Sequence, residues 1–198
     1  MMTSGWPATL RNGSVELRPI RKRDASAWRR LRGEQVDWLG PWEATLPPET
    51  QSPFLTHRAM IGVMLSHARA GRTMPFAVTW DDELVGIVTV GSITWGSSRS
   101  ANIGYWIART HAGRGIIPTA VALVCDHLFA TAGLHRIEIA IRPENERSLR
   151  VVEKLGFAEV GLAPSYLHIA GQWRDHRLFQ LVASDVRGTV LARLQSPQ

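Results

Sequence analysis

Ala101-Asn102-Ile103-Gly104-Tyr105-Trp106-Ile107, then Ala112-Gly113-Arg114-Gly115, then an apolar stretch from Ile116 to Ala132: this segment decides how the chain is read. The first part is strand-like, the second a tight turn, and the third carries apolar residues in helical pattern. Two glycines flank an arginine where strand hands over to helix. Such a turn leaves backbone N–H groups unpaired at a helix N-terminus, where they and the helix dipole favour an anion. A phosphate suits that position, and glycine lets it approach the backbone. An ordinary tight turn has the same composition, so the loop alone does not decide. The sequel does. A second strand, Arg136 to Ile141, runs into Arg142-Pro143-Glu144-Asn145-Glu146-Arg147-Ser148, and a helix ends at Glu153-Lys154-Leu155-Gly156-Phe157.

In this order the residues resemble the GCN5-related N-acetyltransferase (GNAT) family, and within it the ribosomal-protein-alanine N-acetyltransferase (RimJ/RimL-like) branch. The family's acyl-CoA loop, Gln/Arg-x-x-Gly-x-Gly/Ala, is set against Ala112, Gly113, Arg114, Gly115, Ile116 and Ile117. Ala112 then replaces the Gln/Arg and Ile117 the terminal small residue. The second signature, Asn-x-x-Ser followed by Glu-Lys-Leu-Gly-Phe, is matched from Asn145 to Phe157. Trp38-Leu39-Gly40-Pro41-Trp42 and the string from Tyr166 to His176 are similar to the same branch, so the resemblance runs from Val15 to about Val182.

The resemblance implies one α/β (α+β) domain. Its mixed, mostly antiparallel sheet has six or seven strands, splits at its centre, and is flanked by about four helices. Ile103–Ile107 and Ile137–Ile141 are the splayed pair that admits acetyl-CoA. Backbone near Ile107 and Ala108 holds the pantetheine, residues 112–117 hold the pyrophosphate, and Asn145 bonds the pantetheine arm. The family's usual proton-donating tyrosine falls at Val152, which cannot donate, so Ser148 is the expected acid. The rigid Trp38–Glu49 loop is expected as an acceptor wall through Trp38 and Trp42, or as packing over the domain's end.

Amine acetylation also needs a group to take a proton. Glu138, a charge on a central strand, is the first candidate. Asn102 could position a water. Tyr105 and Tyr166 could line the acceptor site, with Asp175 or His176 touching it, although each also suits a cross-strand pair or a packed ring. His111 stands beside the phosphate loop.

The 198 residues suffice for one core, and 44% hydrophobic with 20% charged is a soluble, globular composition. The net charge of +6 suits phosphates, yet no run of basic residues concentrates it. One cysteine, Cys125, excludes an internal disulfide and a Cys-based zinc site; no metal is expected. It lies in the apolar helix and offers no nucleophile, so direct transfer is expected over an acyl-enzyme. No signal peptide or membrane-length apolar run is present, which makes the cytoplasm the default and a membrane partner unexpected. Residues 1–14 read as a loose lead-in, 15–183 as the catalytic domain, and 184–198 as a short helix and tail.

Strands are expected at Val15–Ile20, Pro75–Trp80 and Leu84–Ile93, with Asp24 capping a first helix and Ser52–Ala70 a second. A last hairpin should turn at Ala170-Gly171. The expected acceptor is the N-terminal alanine or serine amine of a ribosomal protein, without direct nucleic-acid readout, in a monomer or homodimer. Two rivals remain: a lysine, polyamine or aminoglycoside acceptor, and a ribosome-associated binder with a vestigial acetyl-CoA site.

Overall fold

The computed structural model describes residues 5–50 and 55–194. Among them are strands β1 (Leu10–Asn12), β2 (Val15–Pro19), β3 (Met74–Trp80), β4 (Glu83–Thr94), β5 (Ser100–Ile107), β6 (Arg136–Ile141), β7 (Ala158–Ile169) and β8 (Gln172–Val182). The α-helices are α1 (Ala25–Glu34), α2 (Val36–Leu39), α3 (His57–Arg69), α4 (Ile116–Ala130) and α5 (Glu146–Leu155). Expected residues Ser52 to Phe54 of the second helix lie outside the described residues, and Thr56 caps α3 by accepting from the Ala59 amide.

The strands form one sheet in the order β1-β2-β3-β4-β5-β6-β8-β7, with β5–β6 its parallel pair. Eight strands replace the expected six or seven, because Leu10–Asn12 pairs with β2. Five helices replace about four, the short α2 being the addition. Asp81 and Asp82 both take positive φ, the conformation a two-residue hairpin turn needs, and join β3 to β4. Gly86 admits a close approach: a Cβ there would stand 2.3 Å from the Trp106 carbonyl oxygen. The β4–β5 pairing shifts register between Gly91 and Thr94.

Alternating strand residues feed two cores. Phe76, Val78, Val85 and Val88 pack toward α4, which is apolar nearly all round and therefore buried. Ala77, Leu84 and Ile87 pack toward Trp28 and Leu31 of α1 and Ile61 of α3. Helices thus cover both faces of the sheet.

Three local expectations change. Asp24 makes no side-chain cap to α1; its carboxylate accepts from Arg18 at 2.8 and 2.9 Å and from the Arg21 amide at 2.7 Å. Within the lead-in, Trp6 stands edge-on to Phe76 at 5.0 Å and the Gly5 carbonyl lies 2.7 Å from His127 Nε2, so these residues pack on the domain. The C-terminal segment is tied down as far as Leu194. Asp126 accepts from the Val190 and Leu191 amides, and Arg193 donates to the Leu155 carbonyl at the end of α5.

Candidate active site

Strands β5 and β6 pair over only three positions, ending at Asn102–Glu138. Beyond them β5 stays with β4 while β6 stays with β8, so the sheet opens into a wedge. Two cavities meet in it. One, about 600 Å³, lies over the loop before α4; the other, about 1290 Å³, lies under α1 and the loop after α2. Tyr105, Trp106, Asn145, Ser148, Leu39 and Trp42 line both. A molecule entering from either side meets the other at those residues.

The smaller cavity gathers backbone donors and cationic side chains. Among the described residues, the backbone N–H groups of Gly113, Arg114, Gly115, Ile116 and Ile117 donate no hydrogen bond. Gly113 and Gly115 take φ of +79° and +76°, which turns those amides toward the start of α4. A Cβ on either glycine would meet no protein atom within 4 Å, so the space in front of them is open. Pro118 supplies no N–H and fits the first helical turn. Arg109, His111, Arg147, Arg150 and Lys154 rim the same cavity. Trp38 closes it: its Nε1 donates to the Ile107 carbonyl at 2.9 Å, under the guanidinium groups of Arg109 and Arg147.

At the junction, the Tyr105 hydroxyl is buried beside the Ser148 hydroxyl and meets no hydrogen-bond partner of good geometry among the described residues. Burial pushes its pKa up, and the neighbouring Ser148 hydroxyl opposes this only in part. Ser148 sits in the first turn of α5, and Asn145 caps that helix by accepting from the Ser148 amide at 3.2 Å.

The larger cavity is roofed by a strap that the sequence did not reveal. Ala44 bridges to Ile169; the Thr45 amide donates to the His168 carbonyl at 2.9 Å, and the Ala170 amide to the Glu43 carbonyl at 3.1 Å. Thr45 Oγ1 lies 2.8 Å from His168 Nδ1 and accepts from the Gly171 amide. His176, 3% exposed, lines this cavity from β8. A carbonyl only accepts, so its Nδ1–H donates to the Arg174 carbonyl at 3.0 Å, which leaves Nε2 as the acceptor of a neutral ring. Burial pushes the His176 pKa below the ordinary histidine value, and the Arg142 cation adds to this. Glu43 also lines the cavity but is ion-paired with Arg32.

A family model for the acetyltransferase (GNAT) domain matches residues 14–158. The chain belongs to that family. It is 38% identical to the Mycobacterium smegmatis RimJ structure in complex with CoA-disulfide, at a TM-score of 0.89 over 96% of this chain and 95% of that one. It is 30% identical to the Escherichia coli [Ribosomal protein uS5]-alanine N-acetyltransferase over 82% of this chain and 85% of that protein. A Bacillus subtilis relative, Probable N-acetyltransferase YjcK, is 41% identical over 53% of this chain, which spans 58% of that relative's length. The GNAT wedge is therefore the split sheet described above, and the chain is an N-acetyltransferase.

Against this GNAT frame, Ile107, Ala112, Gly113, Gly115, Ile116, Ile117, Asn145 and Ser148 line the loop-side cavity. Arg114 points to solvent, and Ala108 is fully buried in the second core. Counting the motif back from Gly113 and Gly115 places Thr110, not Ala112, at the Gln/Arg position, and Gly115 itself at the terminal small one. Ile117 therefore does not crowd the cradle; its side chain is packed in the core. Cys125 is fully buried and its pKa is raised by burial.

Trp38 stands in the smaller cavity only, whereas Trp42 reaches both cavities. Tyr166 lies at the rim, its ring 5.6 Å from that of His176 and 39% exposed. Asn102 and Glu138 sit at the closed end of the wedge, outside both linings, and the Glu138 carboxylate is half-exposed, 3.7 Å from Arg136.

Proposed function

We propose that this chain transfers acetyl from acetyl-CoA to a protein N-terminus, the alanine or serine amine of a ribosomal protein. The observation that carries the reading is the meeting of two cavities at Tyr105, Asn145 and Ser148, one with an anion cradle and one without. The likeness to the M. smegmatis RimJ structure and to the E. coli uS5-alanine enzyme supports the acceptor class.

In this reading residues 113–117 hold the pyrophosphate, and the pantetheine runs under Trp38 along the open end of β5. The amine enters beneath the strap. Its nitrogen attacks the thioester carbonyl carbon, the C–S bond breaks, and one proton must leave nitrogen while the thiolate gains one. His176 Nε2, neutral and without a partner among the described residues, takes the amine's proton directly or through water. Ser148 and the Tyr105 hydroxyl serve the sulfur. An α-amine, with a pKa near 8, supplies enough neutral nucleophile at pH 7.

The test is calorimetric titration with acetyl-CoA, then CoA-thiol release against peptides beginning Ala or Ser, free lysine, and small polyamines. Release with the peptides alone is expected. Release with polyamines alone would move the acceptor assignment. Binding of acetyl-CoA without turnover on any amine would overturn transfer and favour a binding role.

A further inference from the structure

The larger cavity carries mostly positive charge. Arg29 and Arg32 of α1, Arg58 of α3 and Arg142 after β6 line it, against one carboxylate among the described residues, that of Glu43. Arg32 is taken by Glu43 and lies against the Trp106 ring. Arg142 reaches Glu144 at 3.2 Å and donates to the Pro41 carbonyl at 2.7 Å, yet its Nε is buried with no acceptor. Arg29 and Arg58 are exposed at the mouth and form no ion pair among the described residues. His57 lines the same cavity, and burial, then Arg32 and Arg29, lower its pKa. A cleft lined by one sign of charge raises the local concentration of the opposite sign.

We infer that the acceptor is a polypeptide whose residues just after the reacting N-terminus are acidic. The inference rests on the amine-transfer reading for its position but not for its test. The amine must pass under the strap to Tyr105 and Ser148, so the residues that follow it lie at the mouth, where Arg29 and Arg58 stand unpaired. A polyamine or an aminoglycoside brings only positive charge to these arginines and is disfavoured. An RNA phosphate run would match the sign, but the arginines surround a roofed cavity rather than an open track.

The experiment measures binding of short fluorescent peptides to the full chain saturated with CoA. The peptides carry a blocked amine, so turnover is not needed. One series places Glu after the first residue, one Gln and one Lys. The Glu series should bind about tenfold tighter than the Lys series, the size expected of two partly exposed ion pairs, and salt should narrow the gap. In the Arg29→Glu/Arg58→Glu variant, checked to melt like the parent, the order should vanish or invert. Equal binding of the three series, or an order unchanged in the variant, would overturn the inference. So would an RNA oligonucleotide that displaces the Glu peptide and loses affinity in the variant more than the peptide does. Failure of the blocked peptides with free-amine peptides still acetylated sinks this inference alone. Success here with no acetylation sinks the transfer reading alone.

Discussion

The indole N–H of Trp38 reaches across the mouth of the smaller cavity to the carbonyl oxygen of Ile107, 69 residues away and 2.9 Å distant. The bond fixes the short helix α2 to the open end of β5. Arg147 and Arg109 lie over the ring at 4.6 and 5.8 Å from its centroid, so the lid also gathers two cations at the cradle.

Trp38→Phe keeps a ring under the arginines and removes the donor. A neutral hydrogen bond is worth about 1 kcal/mol net, which predicts roughly a fivefold rise in the KM for acetyl-CoA with little change in kcat. Trp38→Ala should weaken binding further by releasing both cations. Steady-state kinetics with acetyl-CoA varied reads both, and an unchanged KM would remove Trp38 from the cofactor side.

The two loop glycines separate a backbone requirement from a ligand requirement. Gly115→Ala or Gly113→Ala forces a left-handed residue, at about 1 kcal/mol, but its methyl meets no protein atom. The methyl would instead occupy the space where an anion approaches the amides. Thermal melts should therefore fall by only a few degrees, while calorimetric affinity for CoA falls by more than the strain explains. Gly86→Ala is the contrast. Its Cβ would collide with the Trp106 carbonyl, so stability should drop by about 1–3 kcal/mol. Affinity losses in Gly113→Ala and Gly115→Ala no larger than their stability losses would leave the cradle without a ligand.

Why some of this was legible in the chain and some was not follows from what each residue depends on. The α4 and β6 boundaries, the cradle and the Ala170-Gly171 turn are local, set by short-range apolar period and by residues that take positive φ. The strap is not local: Thr45 meets His168 across 123 residues through mostly main-chain bonds, which leave no side-chain signature. Glu138 drew attention as a charge on a central strand, but it stands where β5 and β6 still pair, below the wedge. Asp24 preceded α1 and so looked like its cap, yet the Arg18 guanidinium two elements back claims it. Trp28 and Leu31 were legible as one face of α1, but nothing singled out Arg29 and Arg32, which line the larger cavity beside Trp28. Nothing in the sequence said that a cavity lies beneath them.

His176 gives the site a pH dependence whose sign is fixed. Its folded pKa is lowered, by burial first and by Arg142 second, so the unfolded chain binds its proton more readily. Its contribution to stability is present above the unfolded histidine value near 6.5 and is lost as pH falls below it. His57 is lowered too and adds the same trend. The thermal midpoint should fall from pH 7 to pH 5, and less steeply in His176→Asn. The acid limb of kcat/KM should lie below pH 6.5 in the parent, and His176→Asn should lose it along with about 10²-fold of rate. A variant that keeps both the rate and the limb assigns the proton to another group.

Tyr105 and Ser148 offer the sharpest separation of stability from function. The Tyr105 hydroxyl is buried at the junction of the two cavities, beside the Ser148 hydroxyl, and no well-placed partner among the described residues depends on it. Tyr105→Phe should therefore leave the thermal midpoint unchanged or raise it slightly. If the hydroxyl faces the thioester when acetyl-CoA is bound, the same change should lower kcat by about 10- to 100-fold with the KM for acetyl-CoA little altered. Ser148→Ala should do likewise, because Asn145 caps α5 through the Ser148 backbone amide and not its hydroxyl. Two groups serving one sulfur do not act independently, so the double variant should lose less than the product of the single losses. Multiplicative losses would mean that the two hydroxyls act at different atoms. A Tyr105→Phe enzyme of full activity and full stability would leave Ser148 as the sole donor at the junction.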